Sequence, residues 1–350
     1  MRILSIAVSS LFLALSCTAQ KDLRVHSIQL DDKHGLFLAD SAEASDWLLQ
    51  DRSDRFFDLV NASEMSIQMK QPLLEGQTRA DLLPHFQAYL RKDVESFSPE
   101  ESMLVAAVLQ EAFKNCREVE PDIFPDSLII IKTKGRHYGP SVYYTRDNMI
   151  IVPRDVLDPE MRGALLSTMY HELFHVYSRL HPDKRVRLYK LIGFEPVGLK
   201  NLRLPEALQA RVLYNPDGVD FAQKITLNTD AGKTIEAIPV IYSKYLGHQP
   251  GKRAFFSYVE FNLFQIERKD QDSWQVITEA DGYTSTLNLQ NLPDFFRQIK
   301  DNTQYIIHPD EILADNFSFL LQAKTDNRVT ARFSPDGKKL LEAIEAILRN

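Results

Sequence analysis

The sequence predicts an α+β fold on three observations: helices with marked starts, short β-branched runs between them, and a long block of alternating strands set apart from both. The 350 residues are 44% apolar and 25% charged, a globular composition that leaves no room for a fibre or a disordered polymer. The formal charge of −7 is spread along the chain, with no basic block and no aromatic-basic interleaving. Nucleic acid is therefore not an expected partner.

The first residues, MRILSIAVSSLFLALSCTAQKD, set Arg2 before an apolar run from Ile3 to Leu15 that is too short to span a bilayer. This is the pattern of an export signal over residues 1–19, cleaved after Ala19. ALSC also resembles a bacterial lipoprotein signal in which Cys17 would carry the lipid, although Ala14 stands where leucine is usual. The expectation is an exported protein, periplasmic, surface-bound or secreted, touching a membrane only through an anchor at Cys17. The one other cysteine, Cys116, lies in a helical pattern and reads as a packed apolar residue, so no internal disulfide is expected.

Residues 20–97 form an N-terminal region of unassigned role, its signals mixed and polar up to Gln77. RADLLPHFQAYLRKDVESF then has helical spacing, with Pro84 in the first turn or kinking the helix. SPEESMLVAAVLQEAFKNC opens on Ser98 as N-cap, Pro99 at the first helical position and Glu101 closing a capping box. SLIIIKTKG, SVYYTR and NMIIVP read as strands. Residues 98–201 thus combine a helix, strands and the motif described next. Residues 202–300 are a β-rich insertion, and 301–350 close the chain with two helices, HPDEILADNFSFLLQAKT and one begun by Ser334 and Pro335.

STMYHELFHVYSRLHP carries His171, Glu172 and His175 as H-E-x-x-H. Asp158 as N-cap, Pro159 and a terminating Pro182 place it on a helix. Four helical residues advance ~6 Å and overshoot one rotation by ~40°, so both imidazoles share a face and can bind one ion. Glu172 projects about 100° aside, where it can act as a base on a water at the metal. The uncharged neighbours Met169, Tyr170, Leu173 and Phe174 predict burial, where two unpaired histidines would be costly and a zinc ion would satisfy both.

This stretch resembles the active-site helix of the zincin metallopeptidases. The resemblance implies a zincin-like core of a backing helix, a small mixed sheet and the motif helix, with SVYYTRDNMIIVP supplying the edge strand along which substrate lies. It covers roughly Ser98 to Pro182 and the C-terminal helices.

Catalytic zinc needs a third protein ligand. His181 has the metzincin spacing, but Ser178 replaces the glycine that breaks the helix there, and no methionine follows Met169 to form the turn under the metal. On a continuing helix His181 falls ~9 Å beyond His175, out of reach, and reads as a helix-end residue. The gluzincin, thermolysin-like pattern instead implies a later E-x-x-x-D: Glu311 would bind zinc and Asp315 would fix a ligand histidine. The plain alternative is that Asp310 and Glu311 complement the helix N-terminus. Glu195, in a loop, and Glu206 both lack an aspartate four residues on.

The resemblance implies an exported zinc peptidase acting on a peptide or protein, with Glu172 as general base. An oxyanion-stabilising residue is open among Tyr214, Tyr242, Tyr245 and His248, and YNPDG at 214–218 reads as a plain turn. The other reading is an inactive zincin scaffold that binds partners through its β-rich insertion.

Overall fold

A computed structural model describes residues 25–230 and 232–350. The export signal and Cys17 lie outside the described residues. The chain is mixed α and β, with helices around two mixed sheets.

The first sheet begins in the region to which the sequence assigned no architecture. Strands β1 (Ser27–Gln29) and β2 (Gly35–Leu38) precede short helices α1 (Ser41–Trp47) and α2 (Phe56–Leu59), then α3 (Ala62–Met69), which is buried along its length. Helix α4 (Arg79–Arg91) is shorter than the pattern suggested, because β3 (Val94–Glu95) takes up its expected end, and Pro84 sits in the second turn, not the first. Helix α5 (Pro99–Cys116) has the capping box of Ser98 and Glu101. Cys116 is fully packed, and burial pushes its thiol pKa up, away from reactivity.

Strands β4 (Ser127–Thr133), β5 (Tyr144–Arg146) and β6 (Met149–Pro153) complete the sheet in the order β1-β2-β4-β6-β5, with β3 also on β4. β2, β4 and β6 run parallel, and β5 turns back as the antiparallel edge strand. The N-terminal strands and β4, β5 and β6 therefore share one sheet.

The motif helix α6 (Arg162–Leu180) is preceded by a 3₁₀ turn, Pro159–Met161, capped by Asp158. Pro182 was expected only to stop this helix. It opens another, α7 (Pro182–Leu191), because proline at a first helical position serves equally as a start.

The second sheet has the order β7-β9-β10-β11-β12-β8, from β7 (Phe194–Pro196), β8 (Leu202–Arg203), β9 (Gln223–Asn228), β10 (Thr234–Tyr242), β11 (Glu260–Arg268) and β12 (Trp274–Val276). Helix α8 (Glu206–Gln209) lies between β8 and β9, and α9 (Pro293–Ile299) follows the sheet. Two closing helices follow, α10 (Pro309–Ala323) and α11 (Pro335–Leu348), the latter capped by Ser334.

One core unites α6 and α10: Leu173, Phe174 and Val176 pack with Ile312, Leu313 and Phe317. The rings of Phe174 and Phe317 lie 5.6 Å apart, and the Ser318 hydroxyl donates to the Ser167 carbonyl at 2.8 Å, drawing the helices together. Each such side chain contributes roughly 1.5–3 kcal/mol on burial. This packing sets α6 and α10 against each other.

Candidate metal centre

His171 and His175 stand one turn apart on α6, and Glu311 and Asp315 one turn apart on the facing α10. His171 Nδ1 lies 2.9 Å from Asp315 Oδ1, and its Nε2 lies 3.0 Å from Glu311 Oε2. His175 Nδ1 lies 2.7 Å from Asp310 Oδ2, and its Nε2 lies 3.3 Å from the same Glu311 oxygen. With each Nδ1–H given to an aspartate, both Nε2 lone pairs face Glu311, and one ligand atom from each of the three residues lies within 4.8 Å of the others.

These residues fit a small dication. A tetrahedral zinc site with bonds of ~2.0–2.2 Å separates its ligand atoms by about 3.4 Å, close to the spacings found here. The His175 Nε2 and Glu172 Oε2 atoms are buried and make no hydrogen bond. With neutral imidazoles, the carboxylates of Asp310, Glu311 and Asp315 leave the cluster negatively charged, a surplus that a cation would neutralise.

Burial pushes the His171 pKa down, but the bonds to Asp315 and Glu311 outweigh it and raise it to about 10. His175 is likewise raised against its burial, by the charges of Glu311 and Asp217 and the bond to Asp310. Glu311 is held well below its usual value, since the histidines overcome its burial.

Asp310 is the residue that the sequence undervalued. Its carboxylate is 2% exposed, so it does far more than complement a helix terminus. Besides His175, it accepts from the Ser178 hydroxyl at 2.6 Å and the Tyr189 hydroxyl at 2.8 Å. Ser178, at the position where a metzincin has glycine, thus supports the second-histidine clamp.

The YNPDG segment turns as expected but is also part of the site. Asn215 donates to Glu311 Oε1 at 2.5 Å, which leaves Oε2 to face the imidazoles. Asp217 lines the cleft and accepts from Thr145 of the edge strand, through N at 2.5 Å and Oγ1 at 2.6 Å. Buried Arg179, on α6, binds the Pro216 carbonyl at 3.1 Å and the Thr145 hydroxyl at 3.0 Å, and pairs with Asp54. The contacts of this turn could not be read from the sequence, because Asn215 lies 96 residues from Glu311 along the chain and Asp217 lies 72 from Thr145.

A cleft of about 340 Å³ opens over the cluster, lined among others by Ser141, Val142, Tyr143, Phe256 and Tyr305. Glu172 lines it beside His171, its pKa raised to about 8 by burial and then by Asp217. The Tyr305 ring stacks on His171 at 6.1 Å.

The other candidates lie elsewhere. His181 caps the end of α6, its Nδ1 3.0 Å from the Tyr177 carbonyl. Glu195 is exposed in β7, a strand where a loop was expected, and Glu206 is exposed at the start of α8. Of the four oxyanion candidates, Tyr214 borders only a neighbouring hollow, and Tyr242, Tyr245 and His248 line neither space. Tyr143 and Tyr305 are the tyrosines that line the cleft, and no sequence signal singled them out.

No family model matches the sequence, and comparisons with curated proteins and with solved structures return no match.

Proposed function

We propose that this chain is an exported zinc peptidase of gluzincin type, with His171, His175 and Glu311 as metal ligands and Glu172 as general base. The observation that carries the reading is the meeting of both Nε2 atoms on Glu311 Oε2, at 3.0 and 3.3 Å, with an unpartnered Glu172 carboxylate oxygen in the same cleft. A zinc ion held there would polarise a peptide carbonyl, lower the pKa of an adjacent water and favour the ionised form of Glu172.

The chain's own residues supply the rest. Asp315 and Asp310 keep both imidazoles in the tautomer that presents Nε2. Glu172 takes a proton from the attacking water as its oxygen bonds to the carbonyl carbon. The same carboxyl then gives that proton to the nitrogen as the carbon–nitrogen bond breaks. Tyr143 or Tyr305 would donate to the developing oxyanion. The substrate backbone would run beside Ser141–Tyr143, since the edge at Thr145 is already bound by Asp217.

The binding-scaffold reading gives no reason for an unpartnered buried base beside the ligands. Peptide cleavage by zinc-loaded wild type and Glu172→Gln separates the two. The peptidase predicts a loss of roughly 10²–10⁴-fold at unchanged zinc content. Equal rates would remove Glu172 as the base.

A further inference from the structure

His308 stands at the N-cap of α10, just before Asp310 and Glu311, and is buried. Its ring bridges two distant backbones: Nδ1 accepts from the Asp310 amide at 3.1 Å, and Nε2 donates to the Asp220 carbonyl at 3.1 Å. Only a neutral imidazole with its proton on Nε2 meets both demands, and burial lowers the His308 pKa in favour of that neutral form. Other groups close in on the ring. Tyr189 of α7 meets it edge-on at 6.3 Å, and Gly218 comes so near that a Cβ there would fall 2.4 Å from Cε1 and 2.5 Å from Nδ1. The Gly218 backbone is not left-handed, so glycine serves here to make room for the ring and not to allow the turn. His308 thereby joins the turn that carries Asn215 and Asp217 to the helix that carries Glu311.

We propose that His308 is a positioning residue for the metal centre: it latches the turn of residues 214–220 to α10, so that Asn215 meets Glu311 and Asp217 stays in the cleft. The inference rests on the metal-site reading and adds to it what assembles the site. The turn is tied at two carbonyls, Pro216 by Arg179 from α6 and Asp220 by His308 from α10. Asn215 keeps its hydrogen bond to Glu311 only while the turn holds its register against α10, since such bonds weaken steeply beyond ~3.2 Å. With Asn215 withdrawn, Glu311 Oε1 loses its donor, and Oε2 is no longer the oxygen left for the imidazoles. Serine is a preferred helix cap and would serve α10 alone, but its hydroxyl is too short to reach the turn as well.

The test is the zinc affinity of His308→Ser, Gly218→Ala and the double variant, measured by competition with a chelator. His308→Ser keeps a cap on α10 and cuts the turn loose, so affinity should fall roughly 10- to 100-fold, the usual loss when the support of a metal ligand is removed. Gly218→Ala drives a methyl into the ring and should also cost affinity. It should add less than about twofold once His308 is serine, because the ring that it strikes is gone. Affinity within about twofold of wild type in either single variant, or losses that simply add, overturns the proposal even where the melting temperature drops, since that pattern belongs to a residue that only stabilises the fold. If wild type binds no zinc, the metal reading falls, and the latch is decided on metal-free protein by hydrogen exchange at the Thr145 amide, which donates to Asp217. His308→Ser should quicken that exchange about tenfold or more. An equal rate overturns the latch.

Discussion

Asp310 and Glu311, adjacent in sequence, grip opposite edges of the His175 ring: Asp310 holds Nδ1 at 2.7 Å, and Glu311 lies 3.3 Å from Nε2. Both carboxylates belong to the first turn of α10 and are buried against α6. The ring is thus held from both edges by carboxylates of one helical turn.

Asp310→Asn should therefore weaken zinc binding without removing a ligand. An amide either accepts from Nδ1–H less strongly or turns its NH₂ toward the ring, and loss of such a support typically costs 10–100-fold in metal affinity. Competition titration with a zinc chelator measures it. An affinity within twofold of wild type would show that Asp310 does not orient His175.

Glu64 on α3 makes the metal-free protein sensitive to alkali. It is fully buried, accepts from the Tyr214 amide and Gln68 at 2.9 Å each, and burial raises its pKa from 4.5 to about 8. Between those values the unfolded chain has lost the proton and the folded chain keeps it. The folded state thus binds more protons, and stability falls as pH rises from about 4.5 through 8, then levels off. The total is on the order of a few kcal/mol. Glu64→Gln keeps a hydrogen-bonding group and removes the titration, so melting temperatures of chelator-treated protein should depend less on pH between 5 and 8. Parallel curves for the two proteins would show that Glu64 does not titrate in this window.

Phe174→Ala tests the packing that sets the ligands. Phe174 is 0% exposed and faces Phe317 across the α6–α10 contact. Truncation should cost about 3–5 kcal/mol in chemical denaturation. A cost below 1 kcal/mol would mean that this contact does not hold the helices in register.

What the sequence made legible is local. Ser98, Pro99 and Glu101 marked a helix start because a capping box lies within four residues. His171 and His175 declared a shared face through helical spacing, with Glu172 to one side, as did Glu311 and Asp315, and the two pairs meet across the facing helices. Pairings over long separation were not legible. The parallel pairing of β2 with β4 depends on tertiary contact, and nothing in GLFL names its partner. Asp310 was hidden because an acid in a first helical turn is common. Asn215 was hidden because a turn sequence carries no sign of what its side chains meet.

The most direct measurement is a crystal structure of the zinc-loaded protein, with data collected at the zinc absorption edge. The account predicts one zinc with the Nε2 atoms of His171 and His175 and a Glu311 oxygen at ~2.0–2.2 Å. Zinc bound elsewhere, or held at this site without Glu311, would contradict it.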